Sequence, residues 1–86
     1  MADPVWLPAL ESRLAPTLEF LRQLVGVNSF TANKAGVDAV GALTASGFAG
    51  LGFEAERVPH ADRACGDHLV LRRAGTGSRI VAMISH

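Results

Sequence analysis

The sequence predicts an α/β chain, two helices followed by three strands, on three observations. Apolar residues recur at intervals of three and four over the first quarter of the chain. From Phe53 the period changes to two. Residues 80–84, IVAMI, carry no polar side chain at all.

Leu7, Leu10, Leu14, Leu18, Leu21 and Val25 form the first stripe, with Glu11, Arg13, Glu19 and Arg22 left for the opposite face. Pro16 interrupts it. Proline lacks the amide that would bond four residues back, so the stripe is expected either to kink there or to divide into two short helices, with Pro16 in the first turn of the second. Gly26 follows the last periodic residue and is expected as a left-handed cap.

NSFTANKAG is polar and reads as a loop. Thr31 or Asn33 can cap the next helix by accepting from its free amides. Val37, Val40, Leu43, Phe48 and Leu51 supply its apolar face. Gly41 and Gly47 each cost about 1 kcal/mol against alanine in a helix interior, so SGFAGLG is expected to fray or break the last turns.

FEAERV alternates Phe53 and Ala55 with Glu54 and Glu56, as a strand with one solvated face does. HADRACGD is a loop, HLVLRR a second strand and AGTGS a turn. RIVAMIS is the expected third strand, apolar on both faces and therefore in need of cover on both sides. The connections are too short for parallel crossovers, which makes successive strands antiparallel. Two helices and two short strands supply little of that cover, so the 86 residues are expected to be part of a larger, incomplete domain.

Hydrophobic residues make up 49% of the chain and charged residues 19%, richer in apolar side chains than a small self-contained domain needs. Eight basic residues balance eight acidic ones, which gives no electrostatic case for a nucleic acid or an anionic membrane as partner. A single cysteine, Cys65, forms no internal disulfide. The amino terminus lacks the basic and apolar regions of a secretory signal, and no stretch approaches the ~18 apolar residues of a membrane span. These features fit a cytoplasmic chain.

Three motifs deserve weighing for chemistry. GFAGLGF and AGTGSR lack the residues of a phosphate-binding loop or dinucleotide fingerprint, and GTG between strands is a turn. HADRACGDH gathers His60, Asp62, Cys65, Asp67 and His68, all zinc donors in kind, yet no second paired motif completes a four-ligand site. A small metal-binding protein using His60, Cys65 and His68 is the weakest of the readings it allows. His86 stands at the carboxyl end of the third strand, where open α/β sheets bind ligands, and imidazole is a common metal ligand.

Read in order, LEFLRQLVGVNSF, NKAGVDAVGALTASGFAGLGFEAERVP and CGDHLVLRRAGTGSRIVAMISH resemble the amino-terminal part of the two-zinc carboxypeptidase and aminoacylase family, most closely its glutamate-carboxypeptidase branch. The resemblance rests on Leu24, Val25, Val27 and Ser29 after the first helix. It continues with Leu51, Gly52 and Phe53 before the first strand, then Gly66, Asp67 and His68 opening the second. Ser85 and His86 complete it as the start of an SH-x-D motif.

The resemblance implies a three-layer αβα zinc-peptidase catalytic domain of which residues 1–86 are the front portion. It implies that His86 ligates one of two zinc ions and that an aspartate two residues on bridges them. In such an enzyme the zinc-held water attacks the amide of a small peptide or N-acyl amino acid, a glutamate moves its proton, and a basic side chain receives the substrate carboxylate. A homodimer formed through a separate domain is implied too. None of those later groups lies in this sequence, so the 86 residues alone are not expected to hydrolyse anything. The alternative is a short, non-catalytic α/β interaction module or the remnant of a truncated gene, whose open strand edges pair with a partner.

Overall fold

The computed structural model describes residues 2–86. Its elements run α1 (Leu7–Ser12), α2 (Leu14–Val25), α3 (Lys34–Ala49), β1 (Glu54–Val58) and β2 (His68–Arg72). The chain is therefore mixed α/β, as the pattern of periods predicts, with three helices instead of two and two strands instead of three.

The first stripe divides at Arg13, which closes α1 and opens α2, and Pro16 lies in the first turn of α2, where its missing amide costs nothing. Gly26 does not take the expected left-handed cap. Its φ is −67°, and its amide simply continues to the Arg22 carbonyl at 3.0 Å.

Asn33 caps α3, its side-chain oxygen accepting from the Gly36 amide at 3.1 Å, while Asn33 Nδ2 donates to the Asn28 carbonyl at 2.8 Å. One asparagine thus fixes both the start of the helix and the loop before it.

α3 runs unbroken through Gly41 and Gly47 and ends at Ala49, inside the SGFAGLG stretch where its last turns are expected to fray. The two glycines are places where other side chains come down onto it. A Cβ at Gly41 would meet the Arg57 guanidinium at 2.2 Å, and one at Gly47 would meet the Phe20 ring at 2.8 Å. The propensity cost of each glycine is offset by a contact that sequence periodicity does not register. Gly52 ends the following turn at φ 84°, where a side chain would be strained, and Phe53 then packs edge-on against Phe48 at 5.3 Å.

β1 and β2 pair antiparallel, Glu54 with Arg72 through Val58 with His68. Glu56 and Arg72 form an ion pair on the outer face. On the other face Arg57 reaches back over α3 and donates to the Asp38 carbonyl at 2.9 Å. The alternation read from the sequence holds in direction but not in burial, since every residue of β1 stays exposed.

The third strand is absent. Residues 73–86 are irregular, and Ile80, Val81, Met83 and Ile84 are 88 to 100% exposed. An open space of about 2370 Å³ separates this segment from β2, far more than a packed interior leaves empty. Ordering five residues as a strand costs roughly 5–10 kcal/mol of backbone entropy, and only burial on both faces offsets it. Among the described residues nothing covers either face.

The same shortage shows throughout. No hydrophobic residue among those described is buried, and the accessible surface is 7388 Å². The radius of gyration is 15.7 Å, against about 12 Å for a compact domain of this length. The two buried residues among those described, Gly36 and Gly66, lie at the start of α3, Gly36 beneath the 28–33 loop and Gly66, just ahead of β2, against Val37 and Asp38.

Candidate functional site

The best-defined polar constellation sits at the junction of α3 and β2. Asp38, one turn into α3, accepts the Asp67 amide on Oδ1 at 2.8 Å, and Lys34 approaches its Oδ2 to 3.4 Å. Lys34 also donates to the Cys65 carbonyl at 3.3 Å and lies 4.0 Å from Asp67. Gly66 fits beneath Val37 and Asp38 so closely that a Cβ would come within 2.5 Å of Val37 Cγ1. The Gly66–Asp67 pair is thus the point at which β2 is fastened to α3. Every polar group named is partnered by another part of the chain, so the arrangement is a clamp.

The Asp67 amide holds the Asp38 carboxyl below the ordinary aspartate value of 3.8; partial burial opposes this, and Lys34 and Arg57 add to it. A carboxyl depressed on folding contributes stability that is full above the ordinary value and is lost as the pH falls through the lower folded-state value. Asp38→Asn is therefore expected to flatten the acid limb of stability below about pH 4. At neutral pH it is expected to speed exchange of the Asp67 amide on the order of tenfold, because a charge-assisted bond becomes a neutral one. Amide exchange followed by NMR checks this; unchanged Asp67 protection in the variant would refute the clamp.

The loop that holds His60, Asp62 and Cys65 is folded on itself. Asp62 Oδ1 accepts from the Ala64 amide at 2.9 Å, and the Asp62 carbonyl accepts from the Cys65 amide at 3.0 Å. The His60 and His68 rings stack at 5.0 Å with planes 26° apart. His60 Nδ1 accepts from the Asp62 amide at 2.8 Å, which places the neutral ring's proton on Nε2. A metal-bound histidine does the reverse, donating its second nitrogen to an acceptor. Among the described residues no group of three His, Cys, Asp or Glu side chains can hold a metal ion. The loop has the donor types of a zinc site without the convergence.

His86 ends the irregular segment, exposed to solvent. Among the described residues neither a second imidazole nor a carboxylate joins it in a ligating group. Asp38 and Lys34, the residues that organise the junction, escaped the reading of the sequence. Their i, i+4 spacing was the available signal, but that spacing is common to any charged helix face.

No helix among the described residues is long and apolar enough to cross a membrane. No family model, no curated protein and no solved structure matches the chain.

Proposed function

We propose that these residues form the front portion of a zinc-dependent metallopeptidase or amidohydrolase of the glutamate-carboxypeptidase kind, hydrolysing a peptide or N-acyl amino acid with metal-activated water. The reading rests on the resemblance, and one structural observation supports it: three of the four phrases that carry the resemblance fall at joints of the chain. Leu24 and Val25 close α2. Leu51, Gly52 and Phe53 make the turn from α3 to β1, with Gly52 in the left-handed conformation. Gly66 and Asp67 are the clamp that opens β2.

In the complete domain, residues 79–85 are the third strand, covered on both faces, and bring His86 to the sheet's carboxyl edge as a ligand of one of two zinc ions. Zinc there supplies a Lewis acid and a water acidified toward neutral pH. The described residues do not by themselves fit that role. A catalytic zinc takes about three protein ligands, and here one imidazole stands without the rest. No catalytic step is therefore assigned to these residues.

The test uses the natural gene product that contains this segment. Two zinc ions per chain are expected by elemental analysis, with about half of the metal lost in His86→Ala and hydrolysis reduced at least about 100-fold. Full metal content and activity in the variant would remove His86 from the site, and a product without zinc would remove the hydrolase reading. The exposed 80–84 segment favours a second reading, a non-catalytic interaction module. That reading predicts a natural product that holds no zinc and hydrolyses no amide.

A further inference from the structure

We propose that the outer face of α2 is a self-association surface, taken by the α2 of a second copy of this chain running antiparallel to it. Leu14, Leu18, Leu21 and Val25 succeed one another at intervals of four, three and four, the spacing of a knobs-into-holes seam. They are 59, 54, 51 and 75% exposed.

α2 meets α3 with a different face. Phe20 lies over Gly47, and Leu24 is half-buried. That face is on the order of 110° round the helix from the seam, at 3.6 residues per turn. The seam is thus held on a helix already fixed by α3 and is uncommitted within a single chain.

A two-fold arrangement uses the seam against itself. Leu18 of each copy meets Leu21 of the other, and Leu14 meets Val25. No charged residue falls within the seam. Arg22 flanks it, already paired with Glu19 at 2.7 Å. In the antiparallel arrangement Arg22 of one copy lies opposite Ala15 of the other, so like charges stay apart and the helix dipoles oppose each other favourably. Covering these side chains on both copies removes on the order of 1,000 Å², the lower limit for a specific interface, which makes the dimer weak and concentration-dependent.

The other exposed apolar stretch, 80–84, is the rival surface. It is irregular and must be ordered along its length before it can pair, whereas α2 has only to meet its copy. The preorganised surface associates at the lower concentration. This inference does not rest on the hydrolase reading, since neither His86 nor a metal enters it.

Sedimentation equilibrium of the 86-residue chain from about 1 to about 200 µM tests it, with the helical circular dichroism of each variant recorded alongside. Wild type and Val81→Lys are expected to pass from monomer to dimer across the range. Leu18→Glu and, independently, Leu21→Lys are expected to weaken association at least about 100-fold with helix content retained, which leaves a monomer throughout. A wild-type chain that stays monomeric overturns the proposal. Association that survives both helix variants and disappears in Val81→Lys overturns it as well and assigns contact to the 80–84 segment.

Discussion

Replacing Gly36 by alanine is expected to destabilise the chain by about 3 kcal/mol, at the upper end of what one inserted methyl group does in a tight site. The added Cβ would sit 1.8 Å from the Asn28 carbonyl oxygen, 2.9 Å from its carbon and 2.9 Å from Asn33 Nδ2. Two of these are backbone atoms, and the third is the cap side chain that bonds the Asn28 carbonyl. None is the loose end of a flexible side chain that can swing aside. To make room, the 28–33 loop must lift from α3, and the cap bond from Asn33 to the Gly36 amide goes with it. Alanine's better helix propensity returns only about 1 kcal/mol.

The effect is large because the chain has so little else. A domain of ordinary stability holds 5–15 kcal/mol in total, and one with no buried hydrophobic residue sits at the low end. Urea unfolding followed by far-ultraviolet circular dichroism is the measurement. The midpoint should fall by about 3 M or the transition should vanish, at a slope of about 1 kcal/mol per molar. An unchanged midpoint would mean that the loop yields freely and that the junction is not where stability resides.

Gly66→Ala is expected to cost about 2 kcal/mol by the same mechanism from the opposite side. Its Cβ would meet Val37 Cγ1 at 2.5 Å, Val37 Cβ at 2.7 Å and Asp38 Oδ1 at 2.9 Å. Val37 is β-branched and stiff about χ1 in a helix, so it relieves the clash only by moving the helix. Displacing Asp38 also lengthens its bond to the Asp67 amide, and β2 loses its fastening to α3. Unlike Gly36→Ala, this substitution should leave the cap of α3 intact. Amide exchange separates the two: protection is expected to fall across 67–72 in Gly66→Ala and across the first turn of α3 in Gly36→Ala. The two glycines serve one junction, so the double variant should lose less than the sum of the single losses. Additive losses would show that the loop and β2 are held independently.

Much of the local structure was legible in the sequence. The 3–4 stripe gives the amino-terminal helices, and Pro16 allows the division that the chain adopts at Arg13. Asn33 reads as a cap because its short side chain accepts an amide three residues on, and it does so. The alternation in 53–58 and the short connection to HLVLR give the antiparallel pair. Each of these depends on interactions between residues close in sequence, where type and spacing suffice.

The sequence misled where a local preference met a distant neighbour. Gly41 and Gly47 read only as a cost to α3 because propensity counts only the helix, yet Arg57 and Phe20 occupy the space they leave. HADRACGDH gathers zinc donors in kind and reads first as a loop, since proximity in sequence says nothing of where lone pairs point. The Asp62 amide turns His60 to the wrong tautomer for a ligand. His86 keeps its assignment as an expectation from the resemblance alone.

By itself, then, the sequence determined the elements that local chemistry can close: the helices, the cap and the pairing of two strands. Tertiary structure alone decided that Gly36 and Gly66 form the junction, that Asp38 fastens β2 to α3, and that 80–84 stays irregular. The reason is the same in each case. A backbone hydrogen bond within a helix or hairpin is earned between near neighbours, whereas burial depends on atoms brought from elsewhere in the chain. Residues 80–84 have the composition of a core strand, but the described residues give that strand no second surface to bury against.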